Sequence, residues 1–368
     1  QRHLTIPCEM CIRDRFYGYL TQLNGQRLLE EGHLAYERVW SCSDLDMIFA
    51  PAKYGKPRNF EGASGFLATV DSLELQNKLV FQEIDHTTYI APQTVENGRR
   101  VPGSDSKLKD AFETRMVLRR EFVLTRVKRT SLWWFDFFGG YFYSEPLMKE
   151  IKNMVRVQER LKNVAMASNA QIAVFGDVES MYYTQAFSSL ATDLLVTVPD
   201  ELARIGAPYD IFNFSDLDHP KLDLERYKLF IFLNTFKIDA QKLAFIQNKL
   251  KASGRTLLWI YAPNYIQEKG LSIKGISTVT EMNVNLRTSE EGEVLVKKEG
   301  FFSKLPADTR YSFSKVKITA SSNYSTVNDV SAKKISPLFE INDPDAEVLC
   351  IFSDGKAAFA GKKLMKYT

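Results

Sequence analysis

The chain has 368 residues, of which 45% are hydrophobic and 25% charged, and its formal net charge is +3. This length favours two or three domains, and the composition is sufficient to build sizeable cores. The small net charge gives no electrostatic reason to expect a nucleic acid or an anionic membrane surface as partner. No apolar run reaches the length of about 18 residues that would predict a membrane span.

The four cysteines, Cys8, Cys11, Cys42 and Cys350, do not form the pattern of a disulfide framework. Cys8 and Cys11 have the spacing of a metal-binding or redox pair. A zinc site needs four ligands, however, and no second pair follows. We therefore predict ordinary thiols and no metal site.

In the first half of the chain, short apolar runs alternate with helical patterns, which predicts βα units around a mostly parallel sheet. Pro51 ends one run and the paired glycines Gly139 and Gly140 end another. The predicted strands are residues 15–20, 44–51, 78–90 and 131–140, and the predicted helices are residues 32–40, 106–128 and 146–163. Four successive βα units over residues 16–166 amount to half of a (β/α)8 barrel.

A change in composition at residues 165–170 predicts a linker. Beyond it, strands are predicted at residues 171–177, 227–234 and 255–263, with a helix over residues 239–252. This pattern indicates a small doubly wound α/β domain over residues 167–272. Residues 273–368 are richer in β patterns, and Asp354-Gly355 between two apolar runs predicts a hairpin. Whether this β-rich extension is a separate unit or part of the second domain is left open.

Polar residues follow the predicted strands of the first domain at the ends where barrel enzymes place their functional groups. Glu83, Asp85 and Asp136 would lie on this rim with Tyr54 and Arg58 from a loop. Aromatic residues of the last strand would meet them there, namely Trp133, Trp134, Phe135 and Phe138. Carboxylates beside aromatic rings suit sugars, because the rings stack on the sugar and a carboxylate stabilises an oxocarbenium-like transition state. The structural alternative is that Trp133 and Phe135 are packing residues and Glu83 is a solvated strand end.

Two further segments have a functional and a structural interpretation. Residues 118–129 are basic and interleaved with apolar residues, but their spacing favours an outer helix with a solvated basic face over nucleic-acid binding. Residues 297–305 include Phe301 and Phe302, which we interpret as covering the core of the second domain rather than touching a membrane.

An ordered series of segments from about residue 16 to residue 368 resembles the family 42 glycoside hydrolases and related β-galactosidase-like proteins that carry a trimerisation domain. The segments are "FYGYL", "GHLAYERVWSCSDLDMIFAPAKY", "VDSLELQNKLVFQEIDHTTY", "LRREFVLTRVKRTSLWWFDFFGGYF" and "PLFEINDPDAEVL". The resemblance implies that the first domain contains strands five to eight of the barrel. It also implies that no cofactor is needed and that the substrate is a β-galactoside or related glycan.

The resemblance implies roles for individual residues. Glu83 falls on the catalytic nucleophile, and Tyr54 and Arg58 fall on the loop whose tyrosine supports it. Trp134 and Asp136 fall on the rim of strand eight, where the tryptophan would form a sugar platform. Asp85 and Thr88 continue the pattern after the nucleophile, although the family often has arginine where this chain has Thr87. His33 matches a helix position that we interpret as structural.

This chain departs from the family's pattern at the proton donor that a retaining enzyme needs. In the family it is a glutamate at the end of strand four, commonly after asparagine, and this chain has no such pair before residue 16. We therefore expect a fragment of a longer enzyme that is inactive alone. The alternative is a non-catalytic carbohydrate-binding or assembly protein that keeps the glycosidase scaffold.

The second domain resembles class I glutamine amidotransferases, in the flavodoxin-like form that serves subunit assembly in these galactosidases. A working amidotransferase needs a nucleophilic cysteine at a tight turn, which would fall near Ala262, Pro263 and Asn264. No cysteine occurs between Cys42 and Cys350, which excludes thiol chemistry here. The domain is expected to form an interface in a homo-oligomer, with a trimer as the family's arrangement.

Overall fold

The computed structural model describes residues 36–90, 95–96, 99–100, 108–136, 139–184, 189–251, 254–288, 293–297, 304–305, 309–311 and 335–364. The predicted strand 15–20, the cysteine pair, His33, Phe138, Phe301 and Phe302 lie outside these residues. Among the described residues, no helix combines the length and apolar composition that crossing a bilayer would require.

Three parallel strands form the sheet of the first half, in the order β1-β2-β5. In chain order the elements are α1 (Tyr36–Trp40), β1 (Met47–Pro51), α2 (Val70–Leu75), β2 (Leu79–Ile84), β3 (Val95–Glu96), β4 (Arg99–Arg100), α3 (Ala111–Val127), β5 (Ser131–Trp134) and α4 (Glu145–Leu161). Helix α3 begins where Asp110 caps it, its side chain accepting a hydrogen bond from the backbone N–H of Glu113 at 2.9 Å. Helix α4 starts with Glu145 and Pro146, a favoured arrangement for a first turn.

The second half contains a parallel sheet in the order β7-β6-β8-β9. Its elements are β6 (Ile172–Gly176), α5 (Ser189–Thr192), α6 (Val198–Leu202), β7 (Tyr209–Asn213), β8 (Leu229–Phe232), α7 (Ala240–Phe245), β9 (Thr256–Trp259), β10 (Ile266–Gln267), β11 (Gly270–Leu271) and α8 (Ile273–Thr280). Because β7 lies on one side of β6 and β8 on the other, the winding reverses between β6 and β8. The predicted helix at 239–252 continues beyond α7 as a π-helical segment, Ile246–Leu250.

The β-rich extension forms an antiparallel sheet in the order β12-β15-β17-β16-β13-β14. Its strands are β12 (Val284–Leu286), β13 (Val294–Val296), β14 (Arg310–Tyr311), β15 (Phe339–Ile341), β16 (Glu347–Phe352) and β17 (Ala357–Gly361). The predicted hairpin joins β16 and β17. Gly355 has a positive φ of 83°, and Phe352 and Lys356 pair across the turn at 2.8 Å.

The prediction of an α/β chain with parallel sheets is confirmed, whereas the barrel half and the amidotransferase-like identity of the second domain stay predictions. Several elements were missed, namely helices α2, α5, α6 and α8 and strands β3, β4, β7, β10 and β11. Helix α8 lies at the start of the predicted β-rich extension. The predicted strands 78–90 and 131–140 were too long, because the chain leaves the sheet after Ile84 and after Trp134.

One hydrophobic cluster, which we call the shared core, contains buried residues of both halves. The first half contributes Trp40, Ile48, Ala50, Phe66, Ala68, Val70, Leu73 and Val80, and the second half contributes Val174, Met181, Ala191, Leu195, Ile211, Ile231 and Leu233. The first sheet is therefore backed by the second half of the chain as well as by its own helices.

Candidate active site

Glu83 lies near the carboxyl end of the middle strand of the first sheet and is 3% exposed. Side chains alternate along a strand, and Val80 and Ile84 point into the cores on the helix side. Glu83 therefore shares the opposite face with Phe81. Across the sheet it is in register with Pro51 of β1 and Trp133 of β5. Glu83 is thus a solvent-shielded carboxylate near the end of its strand, and its role as nucleophile stays a prediction.

Aromatic rings cover the face of the sheet that carries Glu83. Phe49 and Phe81 stack with ring centroids 5.2 Å apart, and Phe49 meets Trp133 edge-on at 6.4 Å. Trp133 in turn lies 4.9 Å from Phe135. These rings are only partly buried, so they offer apolar surface beside a buried carboxylate. Such a combination can bind the apolar C–H face of a sugar.

Trp134 lies on the other face of β5 from Trp133. Its ring packs edge-on against Phe142 at 5.7 Å, beside a core that includes Leu118 of α3. The role of Trp134 as a sugar platform stays a prediction. In this register, Trp133 is the tryptophan that shares a face with Glu83 and is a second candidate for that role.

Tyr54, Arg58 and Asp85 meet beside the carboxyl end of β2. Arg58 Nη2 lies 2.6 Å from Asp85 Oδ1, and Tyr54 Oη donates to Asp85 Oδ2 at 3.3 Å. The guanidinium of Arg58 lies 3.9 Å from the centroid of the Tyr54 ring. Arg58 also donates to the backbone carbonyls of Lys53 and Ala52. Burial alone would lower the pKa of Arg58, but the nearby Asp85 and Tyr54 raise it, so this cation is firmly held.

Asp136 is exposed, and both oxygens of its carboxylate accept the backbone N–H of Tyr141, at 3.1 and 3.2 Å. Burial raises the pKa of the Tyr141 hydroxyl, and the negative charges of Asp85 and Asp136 raise it further. Tyr141 thus lies close to both aspartates, and no sequence pattern had indicated this residue. Thr88 donates a hydrogen bond to the carbonyl of Tyr141 and ties the segment after β2 to the segment after β5.

His86 and Glu121 form a buried contact on the helix side of the first sheet, and this contact holds the segment after β2 against helix α3. His86 Nε2 lies 3.4 Å from Glu121 Oε1, and both residues are inaccessible to solvent. Burial lowers the pKa of His86. Burial would raise the pKa of Glu121, but contacts with His86, Arg120 and Ser64 lower it to about 2. These contacts link α3 to the residues after Glu83, and sequence patterns could not reveal them because the partners are far apart in the chain.

No three His, Cys, Asp or Glu side chains of the described residues are grouped so as to hold a metal ion. A buried carboxylate beside aromatic rings can attack an electrophilic carbon or stabilise a developing positive charge.

No protein-family model and no curated protein sequence matches this chain. Among solved structures, it is similar to the β-galactosidase of the psychrophilic Marinomonas ef1, with 10% identity and a TM-score of 0.44 over 80% of this chain and 53% of that one. It is also similar to the β-galactosidase of Rahnella sp. R3, with 13% identity and a TM-score of 0.44 over 77% of this chain and 40% of that one. A catalytic mutant of a family 42 β-galactosidase from G. stearothermophilus is similar as well, with 14% identity and a TM-score of 0.43 over 77% of this chain and 38% of that one.

The chain thus spans 38% to 53% of the length of these three enzymes. These three structural neighbours are β-galactosidases, and their TM-scores below 0.5 describe a partial likeness of fold that does not bear on the reaction of this chain.

Proposed function

We propose that this chain is the nucleophile-bearing part of a retaining, β-galactosidase-like glycoside hydrolase, with Glu83 as the nucleophile. The observation that carries the proposal is the position of Glu83. It is a buried carboxylate near the carboxyl end of a parallel strand, on a face lined by Phe81 and Trp133. The sequence resemblance places the family's nucleophile at the same residue.

In the proposed reaction, the Glu83 carboxylate attacks the anomeric carbon of a β-glycoside and forms a covalent glycosyl-enzyme. A second carboxyl group about 5–5.5 Å away protonates the leaving oxygen and later activates water. We propose that this group lies outside the described residues. Asp85 is bound by Arg58 and Tyr54, and we assign it to positioning rather than to proton donation.

The substrate would lie on the aromatic face beside Glu83. Trp133 or Trp134 would provide the platform, and Asp136, Tyr54 and Arg58 would complete the polar rim. The parent protein would act as a homo-oligomer, with the trimer of the resembling family as the proposed arrangement. Light scattering of the purified protein would test that assembly.

A mechanism-based trap tests the role of Glu83. We would incubate the chain with 2,4-dinitrophenyl 2-deoxy-2-fluoro-β-D-galactoside, whose leaving group departs without protonation. The proposed proton donor is therefore not required. The expected result is release of dinitrophenolate together with a fluorogalactosyl group on the peptide that contains Glu83, measured by mass spectrometry.

Two variants give the trap its controls. Glu83→Gln should abolish labelling. Glu159→Gln removes an exposed carboxylate of α4 and should leave labelling unchanged. A label on another residue would overturn the assignment of Glu83. Binding of lactose without any covalent label would instead support the non-catalytic carbohydrate-binding protein.

A further inference from the structure

A cavity of about 940 Å³ lies at the carboxyl ends of the strands of the second sheet. Its walls follow β6 at Asp177 and Glu179, β7 at Asn213 and Asp216, and β8 at Lys237. Doubly wound sheets bind ligands at this edge, where the winding reverses, here between β6 and β8. Trp40 and Gln76 of the first half close the cavity from the other side.

The floor of the cavity is rigidly built. Asn234, two residues after the end of β8, accepts the backbone N–H of Asp177 at 2.7 Å and donates to its carbonyl at 2.8 Å. Ser180 donates its backbone N–H to the Asp177 carboxylate at 3.0 Å and accepts the backbone N–H of Phe236 at 2.8 Å. The loops after β6 and β8 are therefore joined before any ligand arrives, as expected of a preformed site.

Two tyrosines form the rim. Tyr182 is 58% exposed and Tyr183 is 50% exposed, both far more than packing residues would be. Lys237 holds Tyr183 in place, because its Nζ lies 2.7 Å from the Tyr183 hydroxyl and 2.7 Å from Glu179 Oε1. The rim thus presents aromatic faces whose edges carry hydroxyl groups.

The charges of the lining decide which ligands fit. Besides the buried Asp177, the lining contains three carboxylates, Glu179, Asp216 and Asp239, and three cations, Arg38, Lys237 and Lys242, so the charges balance. Phosphate sites at such edges use a glycine-rich turn and a helix N-terminus. Here the segment that follows Gly176 reads "DVESMYY" and contains two carboxylates and no glycine. A nucleotide or another polyanion is therefore disfavoured.

We propose that this cavity is a second binding site for a neutral saccharide of one to three sugar units. The exposed rings of Tyr182 and Tyr183 would stack on the sugar, and the carboxylates and the amides of Asn213 and Gln76 would bind its hydroxyl groups. The volume lies within the range of small-ligand sites. The cavity uses no residue of the Glu83 cluster, so this proposal goes beyond the proposed hydrolase and does not require it to be correct.

Saturation-transfer difference NMR on the full chain tests the site, with galactose, lactose, cellobiose and mannobiose as probes. At least one probe should bind the wild type with millimolar affinity. Tyr182→Ala should weaken that binding about tenfold or more, while Tyr182→Phe, which keeps the ring, should retain most of it. The matched control is Tyr311→Ala, since Tyr311 on β14 is 53% exposed and lies outside the cavity lining.

Several results would overturn the site. They are the absence of binding by all four probes, binding that Tyr182→Ala leaves unchanged, and displacement of a bound probe by inorganic phosphate or ADP. Loss of all binding in Glu83→Gln with full binding in Tyr182→Ala would place the saccharide at the first site. In contrast, retained probe binding with no covalent trapping at Glu83 would reject the hydrolase proposal and leave this one intact.

Discussion

The carboxylate of Asp71, on helix α2, accepts a hydrogen bond from the backbone N–H of Ile211, 2.7 Å away on strand β7. The next outward N–H of the same strand, that of Asn213, donates to Ser72 Oγ at 2.7 Å. Strand β7 is the edge of its sheet, so side chains of the first half take the place of a neighbouring strand. This is why polar Asp71 and Ser72 are buried in a helix that backs the shared core.

Lys128 should be required to hold helix α2 of the first half against strand β7 of the second half. Its Nζ lies 2.9 Å from Asp71 Oδ2 and 2.8 Å from Asp210 Oδ1, and both carboxylates are almost inaccessible. We expect Lys128→Ala to destabilise the protein by about 3–5 kcal/mol, because two buried carboxylates lose their shared cation. The measurement is urea unfolding followed by circular dichroism.

Lys162→Ala serves as its control, since the ion pair of Lys162 with Glu159 is largely exposed. Its removal should cost less than about 1 kcal/mol. Equal effects of the two substitutions would show that the buried cluster is not the stronger interaction.

Asp85 should be important for stability because it balances a buried cation. Asp85→Asn leaves the 2%-exposed Arg58 without its carboxylate, and we expect a loss of about 2–4 kcal/mol. Tyr54→Phe removes a single 3.3 Å hydrogen bond to the same carboxylate and should cost less than about 1.5 kcal/mol. Thermal unfolding of both variants would measure the difference. If Asp85→Asn leaves the stability unchanged, the hydrogen bonds of Arg58 to backbone carbonyls are sufficient for this buried cation.

Substitution of one tryptophan of β5 should mainly reduce stability, and substitution of the neighbouring tryptophan should mainly reduce ligand binding. Trp134→Ala removes a ring from the core around Leu118 and Phe142 and should destabilise the protein by about 2–4 kcal/mol. Trp133→Ala removes a ring from the face of Glu83 and should mainly slow trapping by the fluorinated galactoside. Stability and trapping rates are to be measured for both. If Trp134→Ala slows trapping in a fully stable protein, Trp134 is the platform.

Asp177 should make stability depend on pH. Burial raises its pKa to about 7 from a reference of 3.8, although hydrogen bonds from Ser180 and Glu179 oppose the rise. Between these pH values the folded state keeps a proton that the unfolded chain has released, so stability should fall as pH rises from about 4 to about 7. Each pKa unit corresponds to about 1.4 kcal/mol.

Asp177→Asn should flatten this part of the curve of melting temperature against pH. Asp223→Asn is the control, because Asp223 is exposed and accepts a comparable local hydrogen bond from the backbone of Glu225. A wild-type curve that rises between pH 4 and 7, and whose slope Asp177→Asn leaves unchanged, would contradict the prediction.

Sequence patterns predicted the strands whose side chains are apolar. They missed strand β7, which is stabilised by polar contacts with residues far away in the chain. Strands β1, β2 and β5 were found because each contains a short apolar run such as "LVF" in β2. Strand β7, "YDIFN", contains a buried Asp210 and ends in a buried Asn213, and these polar residues interrupt the apolar run that would have predicted a strand. Their burial depends on Lys128 and Thr69, which lie far away in the chain.

The candidate site shows the same limit. Strand order and resemblance placed Glu83, Asp85, Tyr54 and Arg58 on one rim and assigned the tyrosine to the support of Glu83. The hydrogen bond of Tyr54 and the ion pair of Arg58 both go to Asp85, a pairing that the sequence did not predict. Which face of β5 each tryptophan occupies depends on a one-residue register, and a local pattern of consecutive aromatics does not fix it. Tyr141 was missed because its closeness to Asp85 arises only when the segments after β2 and β5 meet.

The shared core also constrains how the polypeptide acquires its structure during synthesis. Ile211, which helps to back the first sheet, bonds to a residue 140 positions earlier in the chain. A nascent chain that has emerged from the ribosome only as far as α4 therefore exposes the apolar backs of β1 and β2. The chain can reach its native state only after β6, β7 and β8 have emerged. Because these contacts join distant parts of the chain, we expect slow folding and a need for chaperones.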